Sequence, residues 1–97
     1  MRLIAKSTLR NFWRNHPDAE QALKAWYEEA RKAEWNSFQD IKKQFGTASI
    51  VGNDRVVFNI KGNHYRLIVK IQYNIQIVFI RWIGTHKEYD KINAEDV

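Results

Sequence analysis

Residues 55–89 carry most of the information about the fold and contain two distinctive segments. The first reads Arg55-Val-Val-Phe-Asn-Ile-Lys-Gly-Asn-His-Tyr-Arg-Leu-Ile-Val-Lys70, and the second reads Ile83-Gly-Thr-His-Lys-Glu-Tyr89. Apolar residues alternate with polar ones through much of the first segment, which is typical of strands in a half-buried sheet. The sequence therefore predicts a folded sheet that carries its charges on one face, rather than a solvated basic tail.

All charged side chains between residues 55 and 87 are cationic. There are six Lys or Arg residues and no Asp or Glu: Arg55, Lys61, Arg66, Lys70, Arg81 and Lys87. The whole chain has a formal net charge of +5 and a pI near 9.6. These values indicate an acidic partner, with nucleic acid as the leading candidate and an acidic protein or lipid surface behind it.

Length and composition favour one globular domain over residues 1–97. The chain is 44% hydrophobic with four Trp, four Tyr and five Phe, well above the level of disordered proteins. A domain of this size buries roughly 60 to 65% of the surface of its unfolded chain, which is enough for one core. The acidic tail, residues 93–97, is expected to be frayed.

The absence of cysteine excludes a disulfide framework, a thiolate nucleophile and a cysteine-based zinc site. Residues 1–6 lack the apolar run of a signal sequence, and Gln76 and Arg81 interrupt the most apolar stretch of the chain. We therefore expect a cytoplasmic protein that is neither exported nor membrane-spanning.

Before residue 46 the apolar residues follow helical spacing. Residues 2–6 predict a short first strand, and residues 7–16 predict a helix that ends before Pro17. Residues 19–33 match the helical template without a miss. Ser37 and Asp40 resemble a capping box, which predicts a third helix over residues 37–45.

After Gly46 the period changes from 3.6 to 2. Strands are predicted over residues 55–60, 64–73 and 75–83, with a tight turn at residues 61–63. The third of these strands is apolar on both faces, as expected of a central strand covered by helices. The predicted fold class is α+β, with a small antiparallel sheet packed against two or three N-terminal helices.

Two features of the strands suggest chemistry. Arg66 and Lys70 are four residues apart and should project from the same face, roughly 13 to 14 Å apart, so that both could contact phosphates of one strand. An ordinary solvent-facing side of a sheet explains them equally well. Arg81 is harder to explain, because a charge within an apolar strand is costly unless it is paired or belongs to a site.

The segment after the last strand concentrates hydrogen-bonding and titratable groups. His86 can act as an acid or a base near neutral pH, Tyr89 can donate a hydrogen bond or stack on a base, and Lys87 can hold phosphate. A structural interpretation makes Thr85 and Glu88 a capping box and leaves the other side chains merely exposed. No metal-ligand spacing or phosphate-binding loop is present, so no metal or nucleotide cofactor is expected.

Several motifs together resemble HigB-type toxins of the RelE/ParE-like superfamily over nearly the whole chain. They are Trp35-Asn-Ser-Phe-Gln-Asp40, Gly62-Asn-His-Tyr-Arg-Leu67 and Gly84-Thr-His-Lys-Glu-Tyr-Asp90. The resemblance implies a RelE-like fold and a toxin of a bacterial toxin–antitoxin pair. It further implies an mRNA interferase, an endoribonuclease that cleaves mRNA, typically on the ribosome, and a helix-turn-helix antitoxin of the HigA type that neutralises it.

Carried over by position, the resemblance predicts catalytic and RNA-binding residues. The predicted catalytic residues are Arg66, Arg81, His86 and Tyr89. The predicted RNA-backbone contacts are Lys61, Asn63, Lys70 and Lys87. A metal-free route would use attack of the ribose 2′-hydroxyl on the adjacent phosphate, with fixed Arg groups stabilising the charge that develops.

Two other functions are compatible with the same sequence. One is a non-catalytic module that binds RNA or an acidic protein through its basic face, with salt-sensitive affinity and no cleavage. The other is a gyrase-inhibiting toxin of the same superfamily, which would cause a DNA-damage response without cleaving mRNA.

Overall fold

A computed structural model describes residues 1–97 as a five-stranded sheet with four α-helices. The elements in chain order are β1 (Arg2–Ile4), α1 (Lys6–Asn15), α2 (Glu20–Lys32), α3 (Phe38–Gln44), β2 (Ser49–Val51), β3 (Arg55–Ile60), β4 (Tyr65–Gln72), β5 (Ile77–Thr85) and α4 (His86–Tyr89). Short 3₁₀ turns at Pro17–Ala19 and Tyr73–Ile75 complete the chain. The predicted α+β class is confirmed.

The strand order in the sheet is β1-β5-β4-β3-β2. The three long strands pair antiparallel, as the alternating pattern predicted, but β1 lies parallel to β5. The edge strand β2 was not predicted. It has only three residues, and Ser49 and Ile50 are exposed, so it shows no alternation long enough to detect.

The N-terminal helices pack on one face of the sheet. Pro17 separates α1 from α2, as predicted, and the apolar stripe of each helix is buried through Leu9, Leu23, Trp26 and Ala30. These side chains join the alternate residues of β3 and β4 in a cluster of 18 buried residues. This cluster is the main hydrophobic core.

The predicted capping box of α3 does not form. Ser37 makes no side-chain cap, and Asp40 instead accepts a hydrogen bond from the backbone N–H of Asn36 at 2.9 Å. An aspartate side chain is one methylene shorter than the glutamate of a true capping box, and here it satisfies a donor one residue earlier. The helix itself begins at Phe38, close to the predicted start.

The second face of the sheet is covered by residues 86–97, which include the short helix α4, and not by the N-terminal helices. Val57, Ile68 and Ala94 form a small buried cluster against which Trp82, Tyr89 and other partly buried side chains pack. The tail at residues 93–97, expected to be frayed, lies against the sheet. The main-chain oxygen of Val97 accepts a hydrogen bond from Arg55 Nη2 at 2.6 Å.

A β-bulge in β5 explains why both of its faces are apolar. Val69 pairs with Ile80 and Ile68 pairs with Trp82, so Arg81 is the extra residue between two pairs. The bulge shifts the alternation, and Trp82 therefore lies on the second face, where the unshifted pattern would place it in the main core. None of the helices combines the length and the hydrophobicity needed to cross a membrane.

Candidate nucleic-acid interface

The candidate interface forms where the β3–β4 turn meets the start of α4. The turn requires left-handed backbone at Lys61 (φ 53°) and Gly62 (φ 62°). It ends at His64, whose carbonyl oxygen accepts a hydrogen bond from the backbone N–H of His86 at 3.1 Å. Two segments that are about twenty residues apart in the chain are thus held side by side at one end of the sheet.

Arg66 lies at the centre of this region. Its Nη1 donates to Asn63 Oδ1 at 3.1 Å, and its guanidinium carbon lies 5.8 Å from the centroid of the Tyr89 ring. A cation over an aromatic face at this distance is attracted by the ring quadrupole. Since no carboxylate pairs with Arg66, its charge remains available to an anion.

The start of α4 is fixed by the capping box that the sequence predicted. Glu88 N–H donates to Thr85 Oγ1 at 3.1 Å, and Thr85 N–H donates to Glu88 Oε1 at 2.8 Å. The hydrogen bond from the Thr85 backbone lowers the pKa of Glu88 below its usual value. The cap and the exposed His86 are therefore compatible, because the capping residues orient the segment and leave the imidazole in solvent.

His86 has a weak electrostatic partner on its own helix. Its Nδ1 lies 3.9 Å from Asp90 Oδ2, and the two side chains are 49% and 63% exposed. An exposed pair at this distance contributes little to stability.

Tyr89 is positioned by an aromatic contact across the second face. Its ring centroid lies 6.2 Å from that of Trp82. The Trp82 indole lies directly over Gly84, so close that a Cβ at residue 84 would fall 2.5 Å from Trp82 Cζ2. Gly84 is the β5 partner of Arg66, so the absence of a side chain there lets the indole and Tyr89 pack beside the arginine.

Lys61 is held by an ion pair at the other side of the turn. Its Nζ lies 3.0 Å from Asp18 Oδ2, and Tyr65 donates to Asp18 Oδ1 at 2.6 Å. The Tyr65 hydrogen bond, followed by that of Lys61, lowers the pKa of Asp18, and the same contact with Asp18 raises the pKa of Tyr65 to about 12. Tyr65 is therefore a structural donor rather than a proton carrier near neutral pH.

The predicted site residues fall into two groups. Asn63, Arg66 and Tyr89 are in contact, and His86 joins them through its backbone hydrogen bond to His64. The exposed Lys61 and Lys87 belong to the same two segments. Arg81 and Lys70 lie further along the same face. Arg81 precedes Gly84 by three residues, roughly 10 Å along the strand, and Trp82 lies between them.

Arg81 is exposed, and no Asp or Glu side chain pairs with it. Its Nε donates to the main-chain oxygen of Val97 at 3.3 Å. The bulge carries it out of the apolar strand, which removes the desolvation cost that the sequence implied. Lys70 lies beside Arg55 of β3 and projects from the same face as Arg66, with the buried Ile68 between them.

The sequence did not single out His64 as part of the site, although its backbone is the direct partner of His86. Its Nδ1 lies 2.9 Å from the carbonyl oxygen of Lys61. A carbonyl can only accept, so Nδ1 is the donor in this contact. The sequence feature that could have identified it is the turn at Gly62 and Asn63 immediately before it, because this turn places the start of β4 at the same end of the sheet.

The interface is an open surface rather than a pocket. The two cavities of the fold measure 260 and 190 Å³, and neither is lined by a residue of the candidate site. No group of three or more potential metal ligands occurs in the structure. An open, cationic surface with a half-buried aromatic ring is suited to a polyanionic chain rather than to a small molecule.

Comparison with known proteins identifies a family and several relatives. Residues 19–92 match the family model described as HigB toxin, RelE-like toxic component of a toxin-antitoxin system. The chain is 27% identical to the mRNA interferase toxin HigB of Escherichia coli K12 over 96 residues, covering 97% of this chain and 92% of that protein. It is 24% identical to the mRNA interferase HigB of Escherichia coli O6:H1, covering 95% and 91%.

Proposed function

The chain belongs to the HigB family of RelE-like toxins, and from this premise we propose that it is an endoribonuclease that cleaves mRNA. The observation that supports the proposal is the contact of Arg66 with Asn63 and Tyr89 on one open surface, beside the backbone hydrogen bond that joins His86 to His64. The names of its relatives, mRNA interferases, support the same activity. In this proposal residues 1–97 act as a single RelE-like toxin domain.

The proposed reaction needs no metal. The ribose 2′-hydroxyl attacks the adjacent phosphorus and the P–O5′ bond breaks, which leaves a 2′,3′-cyclic phosphate and a 5′-hydroxyl. Negative charge grows on the non-bridging oxygens in the transition state. Arg66 and Arg81 are the proposed donors to these oxygens, and each fixed donor is worth on the order of 10²- to 10³-fold in rate by analogy with oxyanion holes.

Proton transfer is proposed for His86 and Tyr89. The exposed imidazole of His86, 3.9 Å from Asp90, and the hydroxyl of Tyr89 are proposed to take the proton from the attacking 2′-hydroxyl and to give one to the leaving 5′-oxygen. Tyr89 lies against the guanidinium of Arg66, where its hydroxyl can donate to a phosphate oxygen or its ring can stack on a base.

The four remaining polar residues are proposed to hold the RNA backbone. Lys61, Asn63 and Lys87 surround the proposed centre, and Lys70 extends the cationic surface along the strand. Lys61 is paired with Asp18 in the free protein, so binding RNA through Lys61 exchanges a carboxylate for a phosphate. Because both groups are exposed, this exchange costs little.

The partners follow from the family and the substrate. Family membership implies an antitoxin, and we propose that it is a helix-turn-helix protein of the HigA type. We propose the ribosome as the place where mRNA is cleaved, and the cytoplasm as the compartment, because translated mRNA is found there.

The experiment is induced expression in bacteria, with growth and the 5′ ends of mRNA as readouts. The wild-type protein should arrest growth and create new 5′-hydroxyl ends. Arg66→Ala should abolish both while keeping its fold, measured by circular dichroism. The matched control is Arg31→Ala, which removes an exposed arginine of α2, on the other side of the molecule, that is paired only with Glu28.

Each alternative function gives a different result. Growth arrest with intact mRNA and an induced DNA-damage response would contradict the proposal and favour a gyrase-inhibiting toxin. Salt-sensitive RNA binding without new 5′ ends would indicate a non-catalytic binding module. Equal cleavage by Arg66→Ala and the wild type would remove Arg66 from the proposed site.

A further inference from the structure

One carboxylate, that of Asp18, holds both ends of the β3–β4 turn. Its Oδ2 accepts a hydrogen bond at 3.0 Å from Nζ of Lys61, the first residue of the turn. Its Oδ1 accepts a hydrogen bond at 2.6 Å from the hydroxyl of Tyr65, the first residue of β4. The two carboxylate oxygens therefore span the turn that carries Asn63 and His64 of the candidate interface.

Both partners of the shorter hydrogen bond are fixed by the helix layer. Asp18 lies in the 3₁₀ turn between α1 and α2, where Pro17 restricts the backbone and Ala19 is 0% exposed. The centroid of the Tyr65 ring lies 5.3 Å from that of Phe12 of α1, in an edge-to-face contact. The position of the β3–β4 turn is thus tied to that of the helices.

The contact with Tyr65 distinguishes this carboxylate from that of an ordinary surface ion pair. An exposed ion pair such as that of Lys61 with Asp18 has little effect by itself. Tyr65, in contrast, is only 6% exposed, and its hydrogen bond to Asp18 raises the pKa of its hydroxyl to about 12. The hydroxyl therefore remains a donor throughout the physiological pH range.

The turn needs such support because its backbone is strained. Lys61 has a φ of 53°, in the left-handed region that residues other than glycine rarely adopt. Backbone of this kind persists only where the surrounding structure holds it. Further along the turn, the carbonyl oxygen of His64 accepts the backbone N–H of His86 at 3.1 Å. Loss of the support at Asp18 would therefore let Asn63 and His86 move.

We propose that Asp18 is a positioning residue for RNA cleavage, because it holds the turn that orients Asn63 and His86. The inference rests on the proposed function, since it assumes that RNA is cleaved at this surface. The two oxygens of the carboxylate have different roles. The hydrogen bond from Tyr65 persists in the RNA complex, whereas Lys61 leaves Oδ2 for a phosphate.

The test separates the rate of cleavage from the affinity for RNA. A reporter mRNA is translated in a purified system, and its cleavage is followed over a series of protein concentrations up to saturation. Affinity is measured by fluorescence anisotropy with a short oligoribonucleotide in which every 2′-hydroxyl is methylated, so that the attacking group is absent. A role in positioning predicts changes in the saturated rate that do not follow the changes in affinity.

Tyr65→Phe removes the hydrogen bond to Asp18 and leaves the ion pair of Lys61 in place. The saturated rate of cleavage should fall about 10- to 100-fold, because a misplacement of about 1 Å can cost on the order of 10²-fold in rate. The affinity for the methylated RNA should stay within about twofold of the wild type. The matched control is Tyr27→Phe, which removes the hydroxyl of a half-buried tyrosine of α2 and should change neither quantity.

Asp18→Asn keeps an acceptor for Tyr65 but removes the charge that competes for Lys61. The methylated RNA should bind about two- to fivefold more tightly, the value of one exposed ion pair, and the rate should fall less than in Tyr65→Phe. Asp18→Ala removes both contacts, so it should bind RNA more tightly and yet cleave it more slowly. Glu28→Gln, which removes a carboxylate paired with Arg31, is the matched control for the loss of charge.

Hydrogen exchange tests the arrangement without any activity. The backbone amide of His86 should exchange about tenfold faster in Tyr65→Phe than in the wild type, as expected for the loss of a hydrogen bond to a charged group. Unchanged exchange in this variant, an unchanged rate of cleavage by it, or weaker RNA binding by Asp18→Asn would overturn the inference. A wild-type protein that leaves the reporter mRNA intact would contradict the proposed function, while the exchange data would still decide whether Asp18 holds the turn.

Discussion

The two faces of the sheet are formed by the same strands but differ in burial and in charge. On the helix side, a cluster of 18 buried residues contains no charged side chain. On the other side, a cluster of three buried residues is surrounded by Arg55, Arg66, Lys70 and Arg81. Adjacent residues of one strand therefore belong to a stable core and to a thinly covered cationic surface.

This difference between the two faces indicates where substitutions should affect stability and where they should affect activity. The helix-side core supplies most of the buried apolar area, so it should dominate the free energy of unfolding. The opposite face buries less and keeps Arg66, Lys70 and Arg81 in reach of solvent, whereas Arg55 is buried. The proposed activity depends on the residues of the second face, and the helix-side core stabilises the strands that position them.

The sharpest comparison uses two neighbouring residues of β4. Leu67 lies in the main core, Ile68 lies in the small cluster, and both are 0% exposed. Truncation to alanine should cost about 2 to 5 kcal/mol at either position. Leu67→Ala should fall near the upper end of this range and Ile68→Ala near the lower end, because the C-terminal segment can collapse into the space.

Urea denaturation at neutral pH measures both losses in free energy of unfolding. Equal losses would show that the C-terminal segment packs as rigidly as the helices. A larger loss for Ile68→Ala would reverse the comparison between the faces.

A second prediction concerns Gly84, which lies under the indole of Trp82. Gly84→Ala adds a Cβ that would fall 2.5 Å from Trp82 Cζ2, so the indole must move, and Tyr89 with it. Overpacking of this kind costs about 1 to 3 kcal/mol. We expect weaker mRNA cleavage as well, because the Tyr89 ring leaves Arg66.

The control for this substitution is Gly46→Ala, where an added Cβ has no heavy atom within 4 Å. Tryptophan fluorescence and cleavage assays on both variants report the displacement and its effect. Unchanged cleavage by Gly84→Ala would show that the position of Tyr89 does not matter for the reaction.

The smallest expected effect is the pH dependence of the contact between the turn and α1–α2. Tyr65 and Lys61 lower the pKa of Asp18 below its ordinary value of 3.8. The carboxylate is thus favoured in the folded state, and its contribution to stability is present above pH 3.8 and is lost as pH falls through the lowered pKa. The difference in stability between the wild type and Asp18→Asn should therefore be larger at neutral pH than near pH 2.

Tyr65 gives the corresponding test at alkaline pH. Its pKa is raised from 10.0 to about 12, so its contribution is complete below pH 10 and is lost as pH rises towards 12. The stability of Tyr65→Phe should not show this loss between pH 10 and pH 12. Parallel pH profiles of unfolding for the wild type and Tyr65→Phe would indicate that the Tyr65–Asp18 hydrogen bond is absent in solution.

Much of the fold could be predicted from local sequence. The apolar periodicity of residues 19–33 and the alternation of residues 55–72 indicated α2 and the β3–β4 hairpin, because burial of one face dictates both patterns. The parallel pairing of β1 with β5 could not be predicted in this way. It joins residues 2–4 to residues 77–79, and no local pattern specifies a partner so far along the chain.

The candidate site was only partly predictable. The cationic and aromatic residues were visible in the sequence, and the Thr85–Glu88 cap was confirmed. Which of them meet depends on the turn at His64 and on the bulge at Arg81, and both are settled by tertiary pairing. Their catalytic and RNA-binding roles stay predictions.

The bulge at Arg81 has a consequence for how related chains should be aligned. Strand side chains alternate with a period of two, and the bulge absorbs one extra residue, so Ile80 and Trp82 still lie opposite Val69 and Ile68. A relative that lacks the residue at position 81 would pair without a bulge, keep its counterpart of Trp82 on the second face and lose the cation of Arg81. A one-residue gap at position 81 of an alignment therefore changes the charge of the molecular surface. The same gap in the turn before Arg55 only shortens a connection.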